Sequence, residues 1–267
     1  MHLKLTGHGC AAPRRSSPID RGTAPGIALQ TSGHNERKEA MSHTDMGARA
    51  AGAWLAIASF ILTVSLLFHG PISPDFGTQM DRIADGGLRW SIAHWAAAAA
   101  LSFFAVASLI MLAAGSRLTR EWWMLSAWAL LPVGALWTAS TAVAEATVIF
   151  NAAVTGNREV YESWWMFAEG QANGFAAMAL AFTVIAANEA WASHSVTPHW
   201  ASRIAAVAGA ASVLGWVLGS WLRFPFGAPI WLVGAIVMCL WLVWFGLSLA
   251  RVDAGQASIR RDAPSGA

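Results

Sequence analysis

Four ionisable side chains of this 267-residue chain lie inside or at the edge of long apolar runs: His69, His94, Glu145 and Glu169. Such groups are costly to bury, and where they persist they mark binding, relay or transport sites. Two imidazoles and two carboxylates form a nitrogen–oxygen donor set suited to zinc, iron, manganese or copper. His69 and His94 alone suit the two axial positions of a b-type haem. Without a metal, the same groups make a proton relay or a polar pocket for a small solute.

Helical spacing adds neighbours to these residues. Thr138, Thr141 and Glu145 recur at i, i+3 and i+7, and Glu169 and Asn173 are four apart, so each set shares one helix face. Ser65 lies one turn before His69, and Gln171 lies beside the Glu169–Asn173 face. Each candidate also has an ordinary structural role. His69 precedes Gly70-Pro71, a common helix-ending turn. The two acids could be satisfied by Thr, Asn or Trp donors across helices.

No HExxH, CxxC or paired ExxH motif is present, and there is neither a GxSxG elbow nor a phosphate-binding glycine loop. Cys10 and Cys239 fall in unrelated contexts, one polar and one apolar, which fits neither a disulfide nor a thiolate site. Glu189, His194 and His199 flank a polar segment with Pro198 and read as surface groups, and Arg158, Glu159 and Glu162 read as a solvated charge cluster.

The elements that must position these residues follow from composition. Hydrophobic residues make up 56% of the chain and charged residues only 12%, about half the share of an average soluble domain. A soluble fold of this length could not hide so much apolar surface. Six apolar segments can each cover the ~30 Å hydrocarbon core of a bilayer: Ala50 to Phe68, Trp90 to Gly115, Trp122 to about Phe150, Trp164 to Ala187, Ile204 to Leu222, and Ile230 to Ala250. They are too long and too uniformly apolar for barrel strands. The fifth is rich in small residues, with Gly209, Ser212, Gly215 and Gly219 suited to close helix contact.

The sequence thus predicts an all-α, polytopic transmembrane bundle over residues 48–251. It is flanked by unstructured polar tails at 1–47 and 252–267, with Met41 or Met46 as alternative translation starts. With six spans, one side carries Arg37, Lys38, Arg49, Arg117, Arg120, Arg203, Arg251, Arg260 and Arg261, and the other carries Arg82, Arg89, Arg158 and Arg223. This bias places both termini in the cytoplasm and the protein in the plasma membrane. Many of the sixteen tryptophans, among them Trp90, Trp122, Trp164 and Trp231, fall at span ends, where amphipathic rings favour the headgroup zone.

A net charge of +2 gives no basic field for nucleic acid. The expected partners are the lipid bilayer, a small-molecule ligand, and a second copy or a membrane complex. The first functional expectation is a polar pocket near the non-cytoplasmic side, lined by Glu145, Glu169, Asn173, Thr141 and Thr138, that binds or moves a small solute or protons, or serves a membrane complex. The alternative is an enzyme or electron carrier with a metal ion or haem b held by His69, His94, Glu145 and Glu169.

Overall fold

A computed structural model describes the backbone of residues 30–251 except 71 and 74, with side chains from residue 46 onward. The chain divides into two units, Met1–Glu39 and Ala40–Ala267. Of the first, only the helical backbone of residues 30–39 is described; everything that follows concerns the second. All regular structure among the described residues is helical.

The helices are α1 Gln30–His69, α2 Phe76–Gly86, α3 Leu88–Ala114, α4 Trp122–Ala144, α5 Phe150–Val154, α6 Arg158–Gln171, α7 Gly174–Trp191, α8 His199–Trp216 and α9 Gly227–Arg251. Six stretches are long and apolar enough to cross a membrane: Met46–His69, Leu88–Ala114, Trp122–Val154, Arg158–Trp191, His199–Trp221 and Gly227–Arg251. This is the pattern of a multi-pass membrane protein. Each stretch contains one of the six apolar segments of the sequence, apart from a residue or two at some ends. The expected tails at 1–47 and 252–267 fall largely outside the described residues. Where the N-terminal one is described, from Gln30, its backbone continues α1.

Adjacent packing runs α3 on α4, α4 on α7, α7 on α8 and α8 on α9. Lipid offers no hydrophobic drive between helices, so close van der Waals contact must hold them. Glycines allow it. A Cβ on Gly134 of α4 would stand 2.8 Å from the Gly174 carbonyl of α7, and one on Gly52 of α1 would stand 2.7 Å from the Gly246 carbonyl of α9. Gly215 of the fifth span meets the α9 backbone at Trp231 in the same way.

Three departures from regular helix matter for the site. The third stretch widens into a π-turn at Glu145–Ile149 before continuing as α5. The fourth is tightened at Ala172–Asn173, where Phe175 N–H donates to Ala172 O (3.0 Å) and Ala176 N–H to Asn173 O (3.1 Å). Between the first two spans lies α2, which sequence reading left unassigned. Its Phe76, Met80 and Ile83 follow helical spacing and join an apolar cluster, while Asp81, Arg82 and Asp85 are exposed. Asp75 caps it by accepting from Thr78 N–H at 2.8 Å, and that bond holds the exposed carboxyl below its ordinary range.

A larger side chain at the α4–α7 crossing must push the helices apart. Gly134→Leu is expected to lower the detergent melting temperature by several degrees, corresponding to roughly 1–3 kcal/mol of overpacking. Gly170→Ala, at an exposed position with open space around it, is expected to leave the melt unchanged.

Candidate metal centre

Each member of the site is placed by a local feature of its helix. His69 is the last residue of α1, which stops because Gly70 adopts φ 74°, a left-handed conformation. Its Nδ1 donates to the Gly70 carbonyl at 3.0 Å. His94 lies on α3 one turn after Trp90, and its Nδ1 donates to the Trp90 carbonyl at 2.8 Å. Glu145 opens the π-turn. The altered register leaves carbonyls there open to side-chain donors: Trp90 Nε1–H donates to Glu145 O (3.3 Å), and Ser91 Oγ–H to Ala146 O (3.0 Å). The α3 helix therefore both carries a site histidine and holds the turn that presents the site carboxylate.

These three side chains meet. Glu145 Oε2 contacts His94 Nε2 and lies 3.8 Å from His69 Nε2. The two imidazole rings are 5.0 Å apart, and Trp90 packs against both, at 4.8 Å from His69 and 4.3 Å from His94. The side chains of His94, Glu145 and His69 are 5%, 12% and 21% exposed, so His69 forms the solvent-facing rim.

The hydrogen bonds fix the chemistry of the facing atoms. A backbone carbonyl only accepts, so each Nδ1 carries a proton and each ring turns its Nε2 to the carboxylate. A cation between these three atoms, a metal ion or a proton on a ring nitrogen, satisfies them together. His94 Nε2 is buried against the Glu145 carboxylate. One ligand atom from each residue lies within 4.8 Å of the other two. A tetrahedral ion with bonds of 2.0–2.2 Å would set its ligands about 3.3 Å apart, which small side-chain rotations reach. This His/His/Glu cluster could hold a metal ion. A haem does not fit between the same histidines: rings 5.0 Å apart with a carboxylate against both leave no slab for a flat macrocycle.

The other candidates lie elsewhere. Glu169 is not brought to the cluster; it is half-exposed, with Arg223 Nη2 3.5 Å from its Oε2. Asn173 Oδ1 accepts from Trp216 Nε1–H (3.1 Å) and Trp221 Nε1–H (2.8 Å), tying the fourth span to the fifth. Thr138 donates to Gly134 O within its own helix (2.9 Å), and Thr141 to Ala168 O across helices (3.0 Å). Their hydroxyls are thus engaged in helix bonding. Glu169 instead has Arg223, with φ 60°, as its partner at the end of the fifth span.

Glu189 is a correction. Expected on the surface, it is fully buried. It accepts from Val196 N–H (2.7 Å) and Ser195 Oγ–H (3.4 Å), and Arg117 approaches to 3.6 Å. The loop after α7 folds back over it, which its position at a helix end did not reveal. His194 and His199 are exposed as expected, and Arg158 pairs with Glu162 one turn on at the surface. Sequence reading missed the role of Trp90, taken as an interfacial ring; its spacing of four from His94 was the available signal.

The chain matches no protein-family model, no curated protein and no solved structure. Fold and cluster together define a class: an all-helical protein of multi-pass membrane type with a His/His/Glu cluster able to hold a metal.

Removing the Glu189 carboxylate strands the Val196 N–H and leaves Arg117 unpaired. Glu189→Ala is therefore expected to cost about 1–3 kcal/mol, read as a lower melting temperature, with the metal content of the purified protein unchanged.

Proposed function

We propose that this protein is an integral membrane metalloprotein in which His69, His94 and Glu145 bind one divalent transition-metal ion. The observation that carries this reading is the paired use of Nδ1: both rings are anchored to backbone carbonyls, which turns both Nε2 lone pairs onto one carboxylate oxygen. Ligating histidines characteristically donate their other N–H in this way, which fixes tautomer and ring orientation. Two nitrogens and a carboxylate oxygen suit Zn(II), Fe(II), Mn(II) or Cu(II). Three protein ligands leave coordination positions open, the arrangement of catalytic rather than structural sites. In such a site the ion supplies Lewis acidity or an activated water. The chain's own residues hold it, Trp90 walls it on one side, and His69 opens it toward solvent.

Protons could replace the metal, making a His–Glu–His relay in a transporter. That form needs only one imidazolium on the carboxylate with the second ring neutral; the metal reading is preferred because one ion takes up all three ligand atoms at once.

Six spans with both termini cytoplasmic, in the plasma membrane, complete the proposal. It rests on the excess of basic residues beside the two termini and the loops on their side. In that orientation the cluster lies toward the non-cytoplasmic face, with polar tails on the other. A reporter fused after the last span is expected to be active only in its cytoplasmic form. Activity only of an export-dependent reporter would invert the topology.

Metal analysis of detergent-purified protein is expected to give one transition-metal ion per chain. His94→Ala and Glu145→Gln should each weaken binding by ten- to a hundredfold or more, and Glu169→Gln should leave it unchanged. Full loading of the first two variants would refute the site. If a metal-free wild type supports a proton flux that Glu145→Gln abolishes, the relay reading replaces it.

A further inference from the structure

Two buried donors in the region of the cluster have no acceptor: the Tyr161 hydroxyl and Gln79 Nε2. Tyr161 is fully buried and Gln79 is 1% exposed. Native proteins give nearly every buried polar group a partner, so two orphans in one region point to an acceptor supplied from outside the chain.

Their placement ties them to the metal centre. Tyr161, on α6, belongs to the small apolar cluster that contains Trp90 and Ala144, the residues packed on the histidines and next to Glu145. Its ring stacks on Trp165 at 5.6 Å, which fixes the phenol's direction. Gln79 lies on α2 one turn before Ile83 of the same cluster. Ser73 N–H donates to Gln79 Oε1 at 2.7 Å, which fixes the amide, and its Nε2 is buried.

Charge balance points to the same outside group. A divalent ion with one carboxylate and two neutral imidazoles keeps a net charge of +1. In a site largely shielded from solvent that charge favours an anion.

Building on the metal reading, we propose that the open position of the centre takes a small monoanion with oxygen or nitrogen acceptor atoms, of the hydroxide, formate or azide kind, with Tyr161 O–H donating to it and Gln79 Nε2–H as a second donor. The anion then supplies both the missing charge and the missing lone pairs. Tyr161 is a ligand-binding residue in this account, and α2 is the cover that brings Gln79 to the site.

The test uses the full chain in detergent, loaded with Co(II) and titrated with azide while the visible absorption is followed. Wild type is expected to bind one Co(II) and to show a saturable spectral change. Tyr161→Phe should keep its Co(II) and its melting temperature yet bind azide roughly tenfold or more weakly, the effect of losing one hydrogen bond to a charged acceptor. Gln79→Met should show a smaller loss. Unchanged azide affinity in both variants, or no azide response from Co(II)-loaded wild type, overturns the anion site while the metal centre stands. A wild type that takes up no Co(II) overturns both, and the metal count tells the two failures apart. If Tyr161→Phe loses Co(II), the wild-type titration and Gln79→Met decide.

Discussion

The contact between Glu145 and His94 is the constraint on which the rest of the site turns. A carboxylate oxygen and an unprotonated imidazole nitrogen repel in water and repel more strongly in a poorly solvated site. Their meeting, with His69 joining from a third helix, requires positive charge between them. Many features around the contact restrain it. The Nδ1 bonds stop the rings from turning away, the π-turn points the carboxylate inward, and Trp90 bonds to Glu145 O while covering both rings.

The π-turn shows how local irregularity serves a site. A regular α-helix through 145–149 would pair those carbonyls internally and rotate the residues that follow. Here the indole and hydroxyl of α3 take two of them. The same contacts dock α3 and orient the acid, so packing and function share atoms.

Elsewhere the bundle obeys the economics of lipid-facing helices. Hydroxyls are absorbed by backbone carbonyls one turn back, as at Ser59, Thr63 and Thr183, because a free polar group in hydrocarbon is expensive. Glycines bring backbones together where bulk apolar contact has no advantage over lipid. Glu189 follows the same rule from the other direction: a buried acid is tolerated because a folded-back loop and Arg117 satisfy it.

Composition and apolar run length alone determined the class of fold, because six stretches able to span hydrocarbon leave the backbone no option but helix. They also made His69, His94 and Glu145 conspicuous, since each is an ionisable group at or within an apolar run. Which of them meet was a tertiary matter. Glu169 has the same chemistry and a similar position in its span, yet it pairs with Arg223 from the fifth span, a contact not written in local periodicity. The Nδ1 bonds of the two histidines are local, but the meeting of their Nε2 atoms with Glu145 and the side-chain donors that take the π-turn carbonyls come from different helices. Sequence spacing carries information along one helix axis; the distances between axes exist only once the bundle has packed.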